Sequence, residues 1–145
     1  MKTVREILLD KGNQVWSVSP DSTVFEALQL MAEKNTGALL VMKEDRVAGI
    51  MTERDYARKV VLLGKVSKEL LVKEIMSTTI FYVEPSFSTE DCMALMIDKR
   101  VRHLPVMHNG KLEGIISIGD VVKGVIDEKE FIISQLENYI KGERG

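Results

Sequence analysis

Residues 49–55, Gly-Ile-Met-Thr-Glu-Arg-Asp, return 65 positions later as residues 114–120, Gly-Ile-Ile-Ser-Ile-Gly-Asp. The same offset relates Pro20 to Pro85, so the two copies align without a gap. A repeat of this size is one supersecondary unit that cannot easily bury its apolar face alone. We therefore expect two pseudo-symmetric halves packed as a pair, with a cleft between them in which a ligand site is sought.

Hydrophobic periodicity predicts the order strand, helix, strand, strand, helix in each copy. The first helix of each copy is a crossover between parallel strands, and the following hairpin is antiparallel. The fold class is therefore mixed α/β (α+β), with two β-α-β-β-α repeats packed sheet to sheet. Each half is expected to hold a three-stranded mixed sheet with helices on one face. The predicted strands are 15–18, 38–42, 47–51, 80–83, 104–107 and 112–116.

Helix starts and turns carry their own signals. Thr23 with Glu26, and Ser88 with Asp91, have capping-box spacing, and the helix after Ser88 is predicted to reach about residue 99. Helices are also predicted from 52 to about 63 and from 117. Residues 109–110, Asn-Gly, are the strongest short hairpin signal.

The predicted organisation is repeat 1 over 3–63, a linker over 64–78, repeat 2 over 79–127 and a C-terminal helix and tail over 128–145. A short amphipathic helix is expected at 3–10, and the linker has a helical piece at 72–76. The tail helix, 128–141, is too apolar on one face to stand free in water. It is either a closing helix on the monomer or a contact between subunits. Its apolar residues are Phe131, Ile132, Ile133, Leu136, Tyr139 and Ile140.

Composition bounds the class of protein. The chain has 145 residues, 45% of them hydrophobic, and a net charge of −2 without a basic block, which argues against a nucleic-acid partner. A single cysteine, Cys92, excludes an internal disulfide and favours a reducing compartment. The first residues do not read as a signal peptide, and no run approaches a membrane span of about 18 apolar residues. A cytoplasmic location is expected.

The repeated motif can be interpreted in two ways. Thr52 with Asp55, and Ser117 with Asp120, stand where a buried strand ends and a helix begins. Free N–H groups at a helix N-terminus attract anions, and a carboxylate suits the paired hydroxyls of a ribose. The same spacing is also that of a capping box, so the pairs could serve the helix alone.

The chain resembles a tandem pair of cystathionine-β-synthase (CBS) domains, a Bateman module, over about residues 3–127. It is most similar to stand-alone CBS-pair proteins of prokaryotes. The segments that carry the resemblance are Val18-x-Pro20, Gly49 to Asp55, Val83-x-Pro85, Arg102-His103-Leu104-Pro105-Val106 and Gly114 to Asp120.

The resemblance implies a regulatory or sensor module that binds an adenosine nucleotide and modulates a partner protein. AMP is the first expectation, with ATP, NAD or S-adenosylmethionine as alternatives. In this family the motif Asp holds the ribose, and each site joins the motif of one copy to strand segments of the other. One site would combine Thr52, Arg54, Asp55, Phe81, Val101, Arg102 and His103. The other would combine Ser117, Gly119, Asp120, Trp16, Thr36, Gly37 and Ala38.

The two implied sites differ in charge. The first collects Arg54, Arg102 and His103, which suits a phosphate group. The second has Gly119 in place of Arg54, so it is expected to be roomier and less basic, to take a larger or uncharged adenosyl group, or to stay empty. Arg102 and His103 could instead be surface charges leading into a strand.

The same residues leave a second function open. The alternative to a sensor is an interaction scaffold of the same fold whose sites are vestigial. An enzyme is not expected, because the sequence offers no nucleophile with a base, no metal cluster and no phosphate-cradling glycine loop. Trp16 and Phe81 are either core residues or an apolar wall for an adenine. The family resemblance implies a homodimer that packs through its helices.

Overall fold

The computed structural model describes residues 2–140 and divides them into two compact units. The repeat-1 unit is Val15–Ile80; the repeat-2 unit combines residues 2–14 with 81–140. The described elements are α1 (Val4–Lys11), β1 (Ser17–Val18), α2 (Val24–Lys34), β2 (Ala38–Lys43), β3 (Arg46–Thr52), α3 (Glu53–Tyr56), α4 (Thr89–Lys99), β4 (His103–His108), β5 (Lys111–Ser117) and α5 (Ile118–Ile140). The predicted mixed α/β class, with two small sheets and flanking helices, is confirmed.

The sheet of the repeat-1 unit has the predicted three strands in the order β1-β2-β3. Strand β1 is parallel to β2, and β2 is antiparallel to β3. Its core contains Leu39, Val41 and Met51 from the sheet, with Val24 and Met31 from α2. A run of branched aliphatic side chains in β2 thus becomes the buried centre of this unit.

The sheet of the repeat-2 unit has two strands, β4 and β5, so the predicted third strand at 80–83 is wrong. What remains of it is one parallel bridge between Val83 and Val106. In repeat 1 the N–H of Leu40 donates to the carbonyl of Trp16. The equivalent residue in repeat 2 is Pro105, which has no N–H to donate. One bond of the ladder is therefore missing, and the strand shrinks to a bridge.

The hairpin between β4 and β5 turns at Asn109 and Gly110, as predicted. Both residues have positive φ, 51° and 75°. A two-residue turn with this backbone matches the right-handed twist of the flanking strands. The antiparallel register that follows places His103 opposite Ser117.

The N-terminal helix packs in the repeat-2 unit, and the linker packs in the repeat-1 unit, through matching hydrogen bonds. The N–H of Val4 donates to the carbonyl of Phe87 at 2.8 Å, and the N–H of Val72 donates to that of Ser22 at 2.8 Å. The linker segment is a 3₁₀ turn, Val72–Glu74, shorter than the helical piece predicted at 72–76. α1 thus pairs with repeat 2, and the 3₁₀ turn pairs with repeat 1, through equivalent backbone hydrogen bonds.

Two predicted helices differ from the structure. The helix expected from 52 to about 63 is α3 followed by a π-helical stretch, Ala57–Val61, in which the N–H of Leu62 donates to the carbonyl of Ala57. The helices expected from 117 and over 128–141 are one continuous helix, α5. Residues 125–130 contain no glycine or proline, so nothing interrupts the helix between the two predicted segments.

Residues 141–145, the end of the predicted tail, lie outside the described residues. Within residues 2–140, no helix combines the length and the apolar character that crossing a membrane requires.

Candidate functional site

The repeat-1 copy of the motif sits at the junction of β3 and α3. Thr52 is the last residue of β3 and the N-cap of α3. Its hydroxyl accepts from the N–H of Asp55 at 3.1 Å, and Oδ2 of Asp55 accepts from the N–H of Thr52 at 3.0 Å. The Thr52 hydroxyl also donates to this Oδ2 at 3.1 Å. The pair is therefore a full capping box, as one of the two interpretations of the sequence predicted.

The repeat-2 copy forms the same reciprocal pair at the start of α5. The N–H of Asp120 donates to the Ser117 hydroxyl at 3.2 Å, and the N–H of Ser117 donates to Oδ2 of Asp120 at 2.8 Å. Both motif carboxylates are thus fixed at a helix N-terminus, where the helix dipole favours negative charge.

Each motif carboxylate also contacts a lysine that the sequence reasoning missed. Nζ of Lys59 lies 3.2 Å from Oδ1 of Asp55, and Nζ of Lys11 lies 2.7 Å from Oδ2 of Asp120. The first lysine follows its partner by four residues, so helical spacing could have revealed it. The second is 109 residues from its partner in sequence, and only the packing of α1 in the repeat-2 unit brings the two together.

Opposing effects act on the pKa of Asp120. Burial pushes the pKa upward, but the hydrogen bond from Lys11, the hydrogen bonds from Ser117 and the lysine charge outweigh it. The pKa of Asp120 therefore lies below its ordinary value of 3.8, and the carboxylate is ionised near neutral pH.

In the repeat-1 unit, the residues that lead into β2 lie beside the motif of the same repeat. Ala38 pairs with Thr52 across the sheet, and the carbonyl of Gly37 accepts from the N–H of Glu53 at 3.1 Å. The hydroxyl of Thr36 donates to the carbonyl of Ala38 at 3.1 Å. Thr36 and Gly37, together with Glu53, also line a surface groove of this unit.

In the repeat-2 unit, Arg102 and His103 lie beside Ser117. His103 pairs with Ser117 across the sheet, and the carbonyl of Arg102 accepts from the N–H of Ile118 at 2.8 Å. Burial is the main cause that lowers the pKa of His103 below 6.5; Asp120 acts in the opposite direction, and Lys11 and Arg102 lower it further. The imidazole is therefore neutral at pH 7.

The predicted arginines and the glycine at the motif are open to solvent. Arg54 and Arg102 are exposed, and neither forms an ion pair within residues 2–140. A Cβ placed on Gly119 would meet nothing closer than the Ser117 hydroxyl, at 3.6 Å. The guanidinium groups are thus available to an anion.

The predicted aromatic and aliphatic wall residues pack on the two cores. Trp16 packs against the repeat-1 core, and Phe81 and Val101 pack against the repeat-2 core. Nζ of Lys34 lies 4.3 Å from the centroid of the Trp16 ring, and Nζ of Lys99 lies 5.4 Å from that of Phe81. Trp16 and Phe81 are thus partly buried, and each ring has a lysine over one face, so their role as a wall for an adenine stays a prediction.

Within each unit, the structure brings the motif together with its own second strand. The grouping of Thr52 with Arg102, and of Ser117 with Gly37, joins residues of different units and stays a prediction.

A family model for the CBS domain matches the chain twice, over residues 4–62 and 72–127. The chain belongs to the CBS domain family. Among curated proteins, it is 37% identical over 150 residues to the Arabidopsis thaliana "CBS domain-containing protein CBSX3, mitochondrial", covering 97% of this chain and 72% of that protein.

Two solved structures with CBS domains extend the comparison. A putative signal-transduction protein with CBS domains from Burkholderia ambifaria is 55% identical, with a TM-score of 0.84 over 87% of this chain and 95% of that one. A crystal structure of CBSX2 in complex with AMP is 28% identical, with a TM-score of 0.72 over 89% of this chain and 99% of that one.

Each CBS motif offers a hydrogen-bonded carboxylate, a hydroxyl and a helix N-terminus, with a lysine close by. Among residues 2–140, no group of three or more His, Cys, Asp or Glu side chains is placed to hold a metal ion. Cys92 is fully buried in the repeat-2 core, where it acts as an apolar side chain.

Proposed function

We propose that this chain is a regulatory module that binds an adenosine nucleotide, with AMP as the first candidate. The observation that carries the proposal is the repeated capping box, in which Asp55 and Asp120 each present a carboxylate at a helix N-terminus beside a hydroxyl. A ribose offers two hydroxyl donors, and a phosphate is attracted to a helix N-terminus and to arginine. The AMP complex of the related CBSX2 supports the same ligand class.

Nucleotide binding is proposed to change the conformation of the module, or the way in which it contacts a partner protein. A ligand shifts a conformational equilibrium only by its differential affinity for the two states. The exposed guanidinium groups of Arg54 and Arg102 would bind the phosphate and increase the affinity for the nucleotide.

Isothermal titration of the chain with AMP tests the proposal. The two motif capping boxes can be compared with a third box of the same geometry that lies outside the motif. The double variant Asp55→Asn/Asp120→Asn should lose binding. The matched control is Asp91→Asn, since Asp91 and Ser88 form the same box at α4 outside the motif. Asp91→Asn should lower the melting temperature slightly, because the capping box loses its carboxylate, and should leave the affinity for AMP unchanged.

Nucleotide identity gives the second arm of the experiment. ATP, NAD and S-adenosylmethionine titrated in the same way rank the adenosyl ligands, and 2′-deoxy-AMP should bind weakly. If AMP, ATP, NAD and S-adenosylmethionine all fail to bind at millimolar concentration, the interaction scaffold is favoured instead.

We also propose that the chain is a homodimer and that α5 forms its interface. Apolar residues on one face of α5 are exposed along its whole length: Ile118, Val122, Ile126, Ile132, Leu136 and Ile140. From Lys129 onward nearly every residue of the helix is exposed, with Leu136 at 57%. A helix with so much exposed apolar surface is expected to pack on a partner.

The arrangement of these residues favours a second copy of the chain as that partner. Ile118 and Ile140 lie equally far from Lys129 in sequence, and so do Val122 and Leu136. Two antiparallel copies centred on Lys129 would therefore set apolar residue against apolar residue, as an isologous interface requires. The same centre sets the two Lys129 side chains opposite each other at the two-fold axis, where their like charges require the long side chains to extend to solvent.

Sedimentation velocity tests both whether the chain is a dimer and whether the apolar face of α5 is its interface. Leu136→Glu should give a monomer, because it places a charge in the apolar stripe. Phe131→Glu is the matched control: Phe131 is exposed on the opposite side of α5, and the variant should remain a dimer. A monomeric wild type would contradict the homodimer, and a dimeric Leu136→Glu variant would contradict the α5 face.

A further inference from the structure

The two motif carboxylates offer different hydrogen-bonding capacity to a ligand. In Asp55, Oδ2 accepts two hydrogen bonds from Thr52, and Oδ1 faces Lys59 at 3.2 Å. In Asp120, both the Ser117 N–H and the Lys11 ammonium bond to Oδ2. Within residues 2–140, no hydrogen bond or ion pair reaches Oδ1 of Asp120.

The hydroxyl of the repeat-2 motif also has more hydrogen-bonding capacity left for a ligand than that of repeat 1. The Thr52 hydroxyl donates its proton to Asp55, whereas within the described chain the Ser117 hydroxyl accepts from Asp120 without an intramolecular acceptor of its own. The side chain of Asp120 is 23% exposed and that of Asp55 is 14% exposed. Repeat 2 therefore keeps a carboxylate oxygen and a hydroxyl proton without a partner in the described chain, whereas in repeat 1 the corresponding oxygen contacts Lys59 and the hydroxyl proton is bonded to Asp55.

Packing explains why the lysine that contacts Asp120 does not come from the position equivalent to Lys59. The residue equivalent to Lys59 is Gly124, and a Cβ at that position would lie 3.1 Å from Cγ2 of Thr89. No long side chain fits there without moving α4 or α5. The cation comes instead from Lys11 of α1, which also donates to the carbonyl of Ile115 at 2.9 Å and reaches Asp120 from the side of Oδ2.

A ribose diol donates two O–H groups, and a carboxylate oxygen accepts about two hydrogen bonds. Oδ1 of Asp120 can accept both without breaking any bond present in the structure. Oδ1 of Asp55 has room for one unless Lys59 leaves, and Lys59 is also held by the carbonyl of Ile75 at 2.9 Å.

We infer that the Asp120 motif is the tighter of two ribose sites, and that Lys59 is the residue that weakens ribose binding at Asp55. This inference rests on the proposed nucleotide function and concerns the order in which the two sites fill. The two sites therefore differ in their affinity for the ribose, and Lys59 sets the size of that difference.

Titration calorimetry of the full chain with adenosine tests the order of filling, because adenosine carries the ribose without the phosphate that Arg54 and Arg102 are proposed to bind at the Asp55 site. The wild type should give two steps whose dissociation constants differ about tenfold, the size of one charge-assisted hydrogen bond partly exposed to solvent. Asp120→Asn should remove the tighter step, and Asp55→Asn should remove the weaker step. Equal affinities in the wild type, or loss of the tighter step in Asp55→Asn, would overturn the inference and leave the proposed function intact.

Lys59→Met tests the role of the lysine. It should tighten the weaker step severalfold and narrow the gap, because Oδ1 of Asp55 is then free for the ribose. Lys65→Met, an exposed lysine of the same unit that forms no ion pair within the described residues, is the control and should change neither step. If Lys59→Met weakens adenosine binding, the lysine supports the Asp55 site rather than competing with the ribose, and the inference is wrong. Absence of any AMP binding in the wild type would overturn the proposed function and this inference together.

Discussion

Nζ of Lys11 lies 2.7 Å from Oδ2 of Asp120, although 109 residues separate them in the chain. The contact ties the N-terminal helix to the first turn of α5 within the repeat-2 unit. The side chains are 32% and 23% exposed, so solvent screens the pair, and its direct contribution to stability is about 0.5–1 kcal/mol.

Replacing Lys11 should raise the pKa of Asp120. Lys11→Met removes a hydrogen bond and a positive charge that oppose the effect of burial on this carboxyl. A group whose folded pKa is depressed stabilises the fold above its unfolded pKa, and that stability is lost as pH falls through the folded value. Acid unfolding below pH 3.8 should therefore depend less steeply on pH in Lys11→Met. Carboxyl carbon NMR titration of Asp120 measures the shift, with Lys111→Met as the control; an unchanged pKa would contradict the ion pair.

Alanine at the two motif glycines should destabilise the chain to different degrees. A Cβ at Gly49 would lie 2.8 Å from the carbonyl oxygen of Ser77, whereas one at Gly114 would meet the end of the Leu8 side chain at 2.9 Å. A side chain can rotate away, but a paired backbone cannot. Gly49→Ala should cost about 2–3 kcal/mol, and Gly114→Ala should cost about 1 kcal/mol.

Thermal unfolding measures the glycine variants, and Gly119 supplies the control. This residue lies in the first turn of α5 with nothing closer than 3.6 Å to an added Cβ. Gly119→Ala should be neutral or should stabilise by up to about 1 kcal/mol, because alanine loses less conformational entropy in a helix. An equal loss in all three variants would contradict the packing argument.

His103 should make the fold sensitive to mild acid. Burial is the main cause that lowers its pKa below 6.5, with Lys11 and Arg102 acting in the same direction and Asp120 against it. The unfolded chain therefore takes up a proton at a higher pH than the folded chain, so stability falls as pH drops below 6.5. His103→Gln should lose less of its melting temperature between pH 7 and pH 5 than the wild type does. His108→Gln, at the exposed end of β4, should behave like the wild type.

Cys92 should not react with thiol reagents in the folded chain. Burial, and next the charge of Asp91, raises the pKa of this thiol to about 11, and the side chain is fully buried. Since the thiolate is the reactive species, modification requires unfolding. Ellman's reagent at pH 8 should label the native protein only at the rate of unfolding, and should label it at once in guanidinium. Rapid native labelling would show that Cys92 is accessible.

Several features of the fold could be read from local sequence. The Asn109-Gly110 turn has the positive φ angles that its residues predict, and Ser88 and Asp91 form the predicted capping box. Turn chemistry and caps depend on residues within three or four positions, so a local pattern is sufficient. The length of α5 was missed because two apolar patterns on one helix were interpreted as two helices.

The strand predicted at 80–83 is missing because of a residue on its neighbouring strand. Its residues have strand-like character, but a strand needs a donor on its neighbour, and Pro105 has none. That the carbonyl of residue 81 would need the N–H of residue 105 is not visible in either segment alone. Aligning the two repeats would have revealed it, since Leu40 supplies the equivalent N–H in repeat 1.

The sequence by itself determined the repeat, the family and the two carboxylates at helix starts, because each is written in residues that lie close together or at a fixed offset. Only the tertiary structure decided which cation meets Asp120. Lys59 reaches Asp55 along one helix, but Lys11 reaches Asp120 because α1 packs in the repeat-2 unit, where Gly124 leaves no room for a lysine on α5. The repeat makes the two motifs alike, and the packing around them makes their hydrogen bonds unequal.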